Sequence, residues 1–480
     1  MPVLLLACLW PQAGCVSVPD HPPLREPSRS LPSDYALASG APQAPAGESQ
    51  PAQAGSPFEP SPRERFFAEP ELQALIQVAL EGNQELNIRV QEILIAQSEV
   101  LARSGEYRPR VDVGAGVGVE KVGETTSQGA SDEADGVPEN LPDFSLGLAA
   151  SWELDVWKRL RNLEAAAREE YLASVEGRNF LVTRLVAEIA SSYYELLALD
   201  SQLDVLQRNV AIQQDALEVV RLEKQGARVT ELAVQRFEAE VARSQSRRFE
   251  LEQRIVETEN RLNFLVGRYP QRIFRDRSAF DAPIESLSAA GSPRALLENR
   301  PDVKRAEHLL TAASLDVSAA RARFYPALSL EAGLGYEAWK AGRLLSTPDS
   351  VFYGLLGRVT APLLNRRGIK AEFFARIAEQ VRRSFEYEQT LLQAFIEVSN
   401  RISLVDKLQS TYDLQSRQVD FLNQAIEVSN VLFRSARADY MEVLLTRRDA
   451  LEAQMERIET RLRQRRAQVE LYQALGGGWR

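Results

Sequence analysis

The stretch Arg110-Val-Asp-Val-Gly-Ala-Gly-Val-Gly-Val-Glu120 decides how the chain is read. Val111, Val113, Ala115, Val117 and Val119 alternate with Asp112, Gly114, Gly116, Gly118 and Glu120. A period of two sets one row on each face of a strand. The stretch recurs at an offset of 217 residues, where Ala115-Gly-Val-Gly-Val-Glu120 aligns with Ala332-Gly-Leu-Gly-Tyr-Glu337. The second copy carries Leu328, Leu330, Ala332, Leu334 and Tyr336 on one face. Each copy has a partner strand, near Phe144–Trp152 and near Val351–Leu363.

Outside these four strands the pattern is helical. Leu72, Leu75, Ile76, Ala79 and Leu80 make one apolar face; after Gly82-Asn83, Leu86, Val90, Ile93, Leu94 and Val100 continue a second. Tyr107-Arg108-Pro109 closes that helix and opens the first strand. The acidic stretch 121–142, with Gly, Ser and Pro, reads as a solvated loop. From Lys158 to Gln225 there is no proline and one glycine, Gly177. Val182, Leu185, Ile189, Leu196, Leu199, Leu203, Leu206, Val210, Leu217 and Val220 follow one another in steps of 3, 4 and 7. That seam predicts a left-handed supercoil, along a helix of roughly 100 Å. Gly226-Ala-Arg-Val-Thr230 breaks it, with Thr230 as N-cap, and a returning helix runs to Gly267.

The programme then repeats. A new helix starts at Glu298–Asp302 and leads to Phe324-Tyr-Pro326 and the third strand. Beyond the fourth strand the offset is 209: Glu188-Ile189 meets Glu397-Val398, Gly226-Ala-Arg228 meets Ser435-Ala-Arg437, and Val266-Gly267 meets Leu475-Gly476. Such a unit is far longer than solenoid repeats, so the chain is a duplicated module. The expected layout is a signal peptide at 1–14, a lipidated Pro-rich arm at 15–65, a first repeat at 66–267, a connector at 268–297 and a second repeat at 298–478.

The start supports the first two segments. Val3–Trp10 is apolar and is followed by Pro-Gln-Ala-Gly-Cys15. A short apolar run ending at small residues before a cysteine reads as a lipoprotein signal with Cys15 lipidated. Cys8, after Leu6-Ala7, is the alternative site, and a cleaved signal without lipid is the plain one. Residues 16–62 hold eleven of the 24 prolines, a composition that disfavours a packed core. The arm is expected as an extended tether, or, for a shorter part, as a segment lying on the folded body.

Composition narrows the function. A net charge of −10 argues against a nucleic-acid surface. With two cysteines, both before residue 16, and two histidines, His21 and His308, soft-metal and His-based catalytic centres have almost no residues to work with. There is no Walker motif, no dinucleotide-binding glycine pattern and no HExxH. The glycines at 114–118 sit inside an alternating strand, with no helix following, so they are not a phosphate loop. No acid–base or nucleophilic constellation is found, and no cofactor or metal is expected.

The strands carry the informative physics. An apolar row about ten residues long opposite a small or polar row is a lipid-facing strand of an outer-membrane barrel. A soluble sheet packed on helices is the competing reading. Four strands cannot close a barrel, and an open edge is not tolerated in lipid. Two copies would give eight strands and three would give twelve. Val111, Val113, Val117, Leu328 and Leu330 are the expected lipid-facing residues. The even-numbered face of the first strand would line the lumen. Trp152, Trp157, Trp339, Tyr336 and Tyr353 stand near strand ends, as an interfacial girdle would.

The duplicated helix–strand–loop–strand–long-helix module resembles the TolC family of outer-membrane channels, also called outer-membrane factors. So do Trp152-Glu-Leu-Asp-Val-Trp-Lys-Arg-Leu-Arg161, Pro362-Leu-Leu-Asn-Arg-Arg-Gly368 and the two helical breaks. The start resembles its lipoprotein branch, which serves resistance-nodulation-division pumps. The resemblance implies a mainly helical fold with membrane β-structure: a homotrimer forming a twelve-stranded β-barrel in the outer membrane of a Gram-negative bacterium, continued by an α-helical barrel across the periplasm. It implies a passive exit duct for small molecules, not an enzyme, partnered by an inner-membrane pump and a periplasmic adaptor. The two breaks, Gly226, Ala227, Arg228 and Ser435, Ala436, Arg437, would be the tip that docks the adaptor. Only the second has a carboxylate, Asp439, starting its returning helix. Asp439 is expected either to cap that helix or, since family tips often carry acidic rings, to form a ring of three acids near the closed aperture. A channel for type I protein secretion and a periplasmic coiled-coil adaptor or scaffold remain the rivals.

Overall fold

The computed structural model describes residues 18–21, 23–29, 31–32, 66–123, 125–282, 295–364, 366–435 and 437–479. The signal peptide, Cys8, Cys15, most of the arm and Ala436 lie outside the described residues.

In chain order the elements are α1 (Pro70–Gly82), α2 (Gln84–Glu106), β1 (Arg110–Glu120), α3 (Ser127–Ala134), β2 (Leu141–Leu154), α4 (Arg159–Gln225), α5 (Glu231–Val266), α6 (Ala295–Asn299), α7 (Pro301–Ala322), β3 (Ala327–Ala338), β4 (Val351–Thr360), α8 (Arg367–Arg434) and α9 (Tyr440–Ala474). The helix–strand–strand–helix–helix order thus occurs twice. One correction concerns the loop after β1, which is not wholly irregular. Thr126 caps a short helix there, its hydroxyl accepting the Gly129 N–H at 3.0 Å. The four strands form one antiparallel sheet in the order β1-β2-β3-β4. Among the described residues no helix is long and apolar enough to cross a membrane.

The chain divides into two compact units. One comprises residues up to Pro27, Ile93–Ala173 and Ala306–Tyr387; the other comprises Ser28–Glu92, Ser174–Arg305 and Glu388–Arg480.

The second unit holds the larger core. Phe67 and the α1 residues Leu72, Leu75, Ile76 and Ala79 pack on α4, on the end of α5 and on α9. Nine of the ten seam positions on α4 are buried, with Leu203 half-buried. The heptad reading therefore found the packed face.

The duplication is visible atom by atom in this unit. The α1–α2 junction docks on the left-handed cap Gly267, and the α6–α7 junction docks on its counterpart Gly476. A Cβ at Gly267 would lie 2.2 Å from the Gly82 carbonyl oxygen, and one at Gly476 would lie 2.6 Å from that of Asn299. Only glycine admits both the positive φ and that approach. Asn83 Nδ2 donates to the Leu265 carbonyl at 2.8 Å; at the equivalent position Arg300 Nη1 donates to the Ala474 carbonyl at 2.9 Å. The connector is tied in by a different device. Arg465 Nη2 donates to the Ala279 and Ala282 carbonyls at 3.1 and 2.8 Å, and Arg461 to those of Phe280, Asp281 and Ala282. Burial and the neighbouring Arg465 charge lower the pKa of Arg461.

In the first unit the sheet stands beside a smaller cluster of Val317, Ala320, Phe324, Phe373 and Ile377. Residues 18–29 settle how part of the arm behaves. Val18 and Leu24 pack on this cluster, and His21 meets Phe373 edge-on at 5.2 Å. The Arg25 guanidinium lies 3.6 Å from the centre of the Phe385 ring, and its carbonyl accepts from Gln380 at 2.9 Å. These residues are a strap along α8 and not a free tether. Proline content set the expectation; the apolar residues spaced between the prolines decided the outcome.

Candidate membrane surface and helical tips

Cross-strand register sorts the sheet into two faces, because directly paired residues share a side. Val111 pairs with Ala150, Val113 with Leu148 and Val117 with Phe144. Leu148 pairs in turn with Leu334, Trp152 with Leu330 and Leu154 with Leu328. Leu328 meets Val359 and Leu334 meets Tyr353. All five predicted lipid-facing residues therefore lie on one apolar face that spans the four strands. Val111, Val113 and Val117 are 63%, 75% and 81% exposed. Leu328 and Leu330 are only half-exposed. Trp152 and Gly357 flank Leu330 in the ladder.

The opposite face carries Asp112, Gly114, Gly116, Gly118 and Glu120 on β1, paired with Ala149, Gly147, Ser145, Asp143 and Leu141. It is small and polar, as the even-numbered reading required. At the helix-side end of the sheet, Trp152 Nε1 donates to the Tyr107 carbonyl at 2.9 Å and Trp157 Nε1 to that of Pro326 at 2.8 Å. Trp157 also stacks on Tyr325 at 4.8 Å. At the loop end Trp339 is half exposed and Tyr353 is 85% exposed. Indoles with satisfied N–H groups beside an apolar band suit a membrane–water boundary.

The two helical breaks share one backbone pattern. Gly226 N–H donates to the Leu222 carbonyl and Ser435 N–H to that of Val431, both at 3.1 Å; Arg228 N–H donates to Glu223 and Arg437 N–H to Leu432, both at 2.9 Å. Ala227 has φ +55°, a left-handed geometry unusual for a residue with a Cβ. The structure brings the two breaks together. Leu217 and Val220 of α4 and Ala233, Val234 and Phe237 of α5 pack with Tyr440 and Leu444 of α9. Arg236 Nη1 lies 3.0 Å from Met441 Sδ. Arg228 and Arg437 are both exposed.

The expected contrast between the tips needs correcting. The first returning helix also begins with a carboxylate, Glu231, which is paired with Lys224. Arg221 bridges Glu218 and Glu238 at 2.8 and 2.7 Å, and these hydrogen bonds hold its pKa above the ordinary value. Asp439 does occupy the N-cap position of α9, with φ −82° and ψ 153°, but its side chain makes no capping bond. Its carbonyl accepts the Glu442 N–H at 3.1 Å, and the side chain is exposed. Thr230 likewise sits at the N-cap of α5 without a side-chain bond. Both caps were legible as positions and not as hydrogen bonds. The Arg221–Glu238 and Lys224–Glu231 pairs of the first tip went unseen because they join residues 17 and 7 apart across a turn. Among the described residues no group of three or more His, Cys, Asp or Glu is placed to hold a metal ion.

The profile of the outer membrane efflux protein family matches residues 75–268 and 292–477, one segment per repeat. The chain belongs to the outer membrane efflux protein family. It is 29% identical over 415 residues to the pyoverdine export outer membrane protein OpmQ of Pseudomonas aeruginosa, covering 86% of this chain and 87% of that protein. It is 24% identical over 467 residues to the cation efflux system protein CusC of Escherichia coli O6:H1, covering 97% and 96%. Among solved structures, the outer-membrane channel OprN superposes with a TM-score of 0.83 at 23% identity, over 97% of this chain and 100% of that one. The TolC-like fold is thereby established. Outer membrane efflux proteins are transport proteins, and this member is an outer-membrane efflux channel whose place is the outer membrane.

Proposed function

We propose that three copies form the duct of a tripartite efflux system, with β4 of each copy pairing with β1 of the next. The single observation carrying this is the four-stranded sheet with an apolar face and two unpaired edges. In lipid those edges require partners, and three copies give twelve strands in a closed ring. The apolar face then meets lipid and the small, polar face lines the lumen. The exposed face of α8 supports the same assembly. Leu414, Phe421 and Val428 are 65%, 68% and 57% exposed at heptad spacing, as a helix awaiting a neighbour would present them. Cys15 is the proposed lipid site. Gly226, Ala227, Arg228, Ser435, Ala436 and Arg437 are the proposed docking surface for a periplasmic adaptor, which couples the passive duct to an inner-membrane pump. The substrates are small molecules, as the pyoverdine export of OpmQ and the cation efflux system of CusC suggest. The family match favours efflux over type I protein secretion. A coiled-coil scaffold would have no use for an apolar sheet face.

Asp439 is the proposed gate, three carboxylates meeting near the aperture. Like charges held close favour cations and oppose a tight closure. Because the side chain makes no capping bond, its removal should cost little stability. Asp439→Ala is therefore expected to leave a heat-modifiable trimer on gels while changing single-channel conductance or cation selectivity in planar bilayers. A wild-type protein that runs as a monomer and forms no pores would refute the duct. A normal duct whose conductance ignores Asp439→Ala would place the gate elsewhere.

A further inference from the structure

The small, polar face of the sheet has an exception. Phe352 lies on it, in one row with Gly335, Gly147 and Gly114. Among the described residues of the four strands it is the one aromatic ring on that side, and two positions on along β4 Gly354 and then Leu356 follow on the same face. The ring lies across glycines. A Cβ at Gly335 would be 2.8 Å from it, one at Gly147 3.3 Å and one at Gly333 3.5 Å. Gly335 and Gly147 are also pressed against backbone, at 2.5 and 3.0 Å from the Leu146 and Leu334 carbonyl oxygens, so no larger residue could form this bed. In the first repeat the matching glycines, Gly116 and Gly118, face Ser145 and Asp143. The same glycine pair thus admits polar side chains in one repeat and an aromatic ring in the other.

Covering glycine backbone is one use for such a ring. Its surroundings indicate a second. Glu337 is two residues beyond Gly335 on the same face, about 7 Å along the strand. Its cross-strand partner Ser145 is two residues from Asp143. Glu337 and Asp143 are exposed and form no ion pair among the described residues, whereas the carboxylates toward the helix side are matched, Asp112 by Arg110 and Glu331 by Arg358. A flat apolar ring with the uncompensated carboxylate of Glu337 on the next same-face position, and that of Asp143 further toward the loop end, suits an organic cation with an apolar body, which gains both contact area and a cation–π attraction.

We propose that Phe352 is the specificity-determining contact of the lumen and that it selects organic cations with apolar bodies, Glu337 supplying the adjacent charge. This rests on the duct reading, in which that face lines the pore. The test uses purified full-length protein in planar bilayers, with tetraphenylphosphonium added on the loop side. Wild-type pores are expected to be blocked. Phe352→Ala is expected to raise the half-blocking concentration about tenfold, Phe352→Tyr to leave it near wild type, and Glu337→Gln to raise it about threefold. Should Phe352→Ala fail to insert, Phe352→Leu keeps the glycines covered without an aromatic face and is expected to weaken the block. Wild-type pores whose block survives Phe352→Ala or Phe352→Leu overturn the role of Phe352 and leave the duct intact. A wild-type protein without pores overturns the duct reading and this inference with it.

Discussion

Val117→Arg is expected to abolish assembly in the outer membrane. Val117 is 81% exposed and sits opposite Phe144 on the apolar face. A guanidinium there has no water and no carboxylate on its own face of the strand. Placing Arg on the lipid side of a barrel strand costs about 2–4 kcal/mol near the midplane, and a trimer repeats the penalty in each copy. In the proposed ring the summed cost falls on the closed trimer. Leu330→Arg should be milder than its apolar character suggests, because Leu330 is half-covered and stands beside the boundary residue Trp152, where a long side chain can reach water. Gly116→Ser should be milder still: the added atoms meet the Ser145 hydroxyl, which can rotate, at 2.6 Å. Outer-membrane fractionation with gel analysis of unheated samples checks the series. Normal Val117→Arg trimers would show that the face is assigned to the wrong side.

Arg300→Ala is expected to destabilise the larger helical unit strongly. The Arg300 side chain is 8% exposed. Its Nε and Nη2 fork onto Asp302 at 3.0 and 2.7 Å, and Nη1 reaches Glu397 at 2.8 Å and the Ala474 carbonyl at 2.9 Å. Burial works against the charge, but the hydrogen bonds and charges of Asp302 and Glu397 outweigh it and raise the pKa of the guanidinium. Removing it strands two carboxylates and a carbonyl at once, a loss of about 3 kcal/mol. Asn83→Ala supplies the internal control. Asn83 holds the equivalent carbonyl in the first repeat and caps α2 through the Leu86 N–H at 2.9 Å, interactions worth about 1–2 kcal/mol. Thermal unfolding followed by circular dichroism should rank Arg300→Ala well below Asn83→Ala. Equal midpoints would mean that the ionic cluster adds nothing to the hydrogen bond.

How much was legible follows from the range of the interactions. The strands and the α4 seam were readable because period and heptad spacing are local, and the repeat was readable because two offsets, 217 and 209, align the copies without reference to structure. The strap at 18–29 was not, since proline content reports on chain stiffness and says nothing about a groove formed by Phe324 and Phe373, some 300 residues away. Phe352 was hidden for the same reason: a strand that is apolar on both faces, as in Val351-Phe-Tyr-Gly-Leu-Leu356, does not declare which residue faces which side until the register with Gly335 is known. The tip was legible as a break in pattern. Its ion pairs and its uncapped Asp439 depend on rotamers that spacing does not constrain.

The strap has a bearing on the lipid proposed for Cys15. Val18 is already pinned to the cluster around Phe324 and Phe373, and three residues of extended chain reach about 11 Å at most. An acyl chain carried on Cys15 could therefore not wander over the leaflet while the body tilted or sank. It would act as a depth gauge, coupling the level of the bilayer surface to the top of α8. Loosening the strap would uncouple the two while leaving the anchor chemically whole.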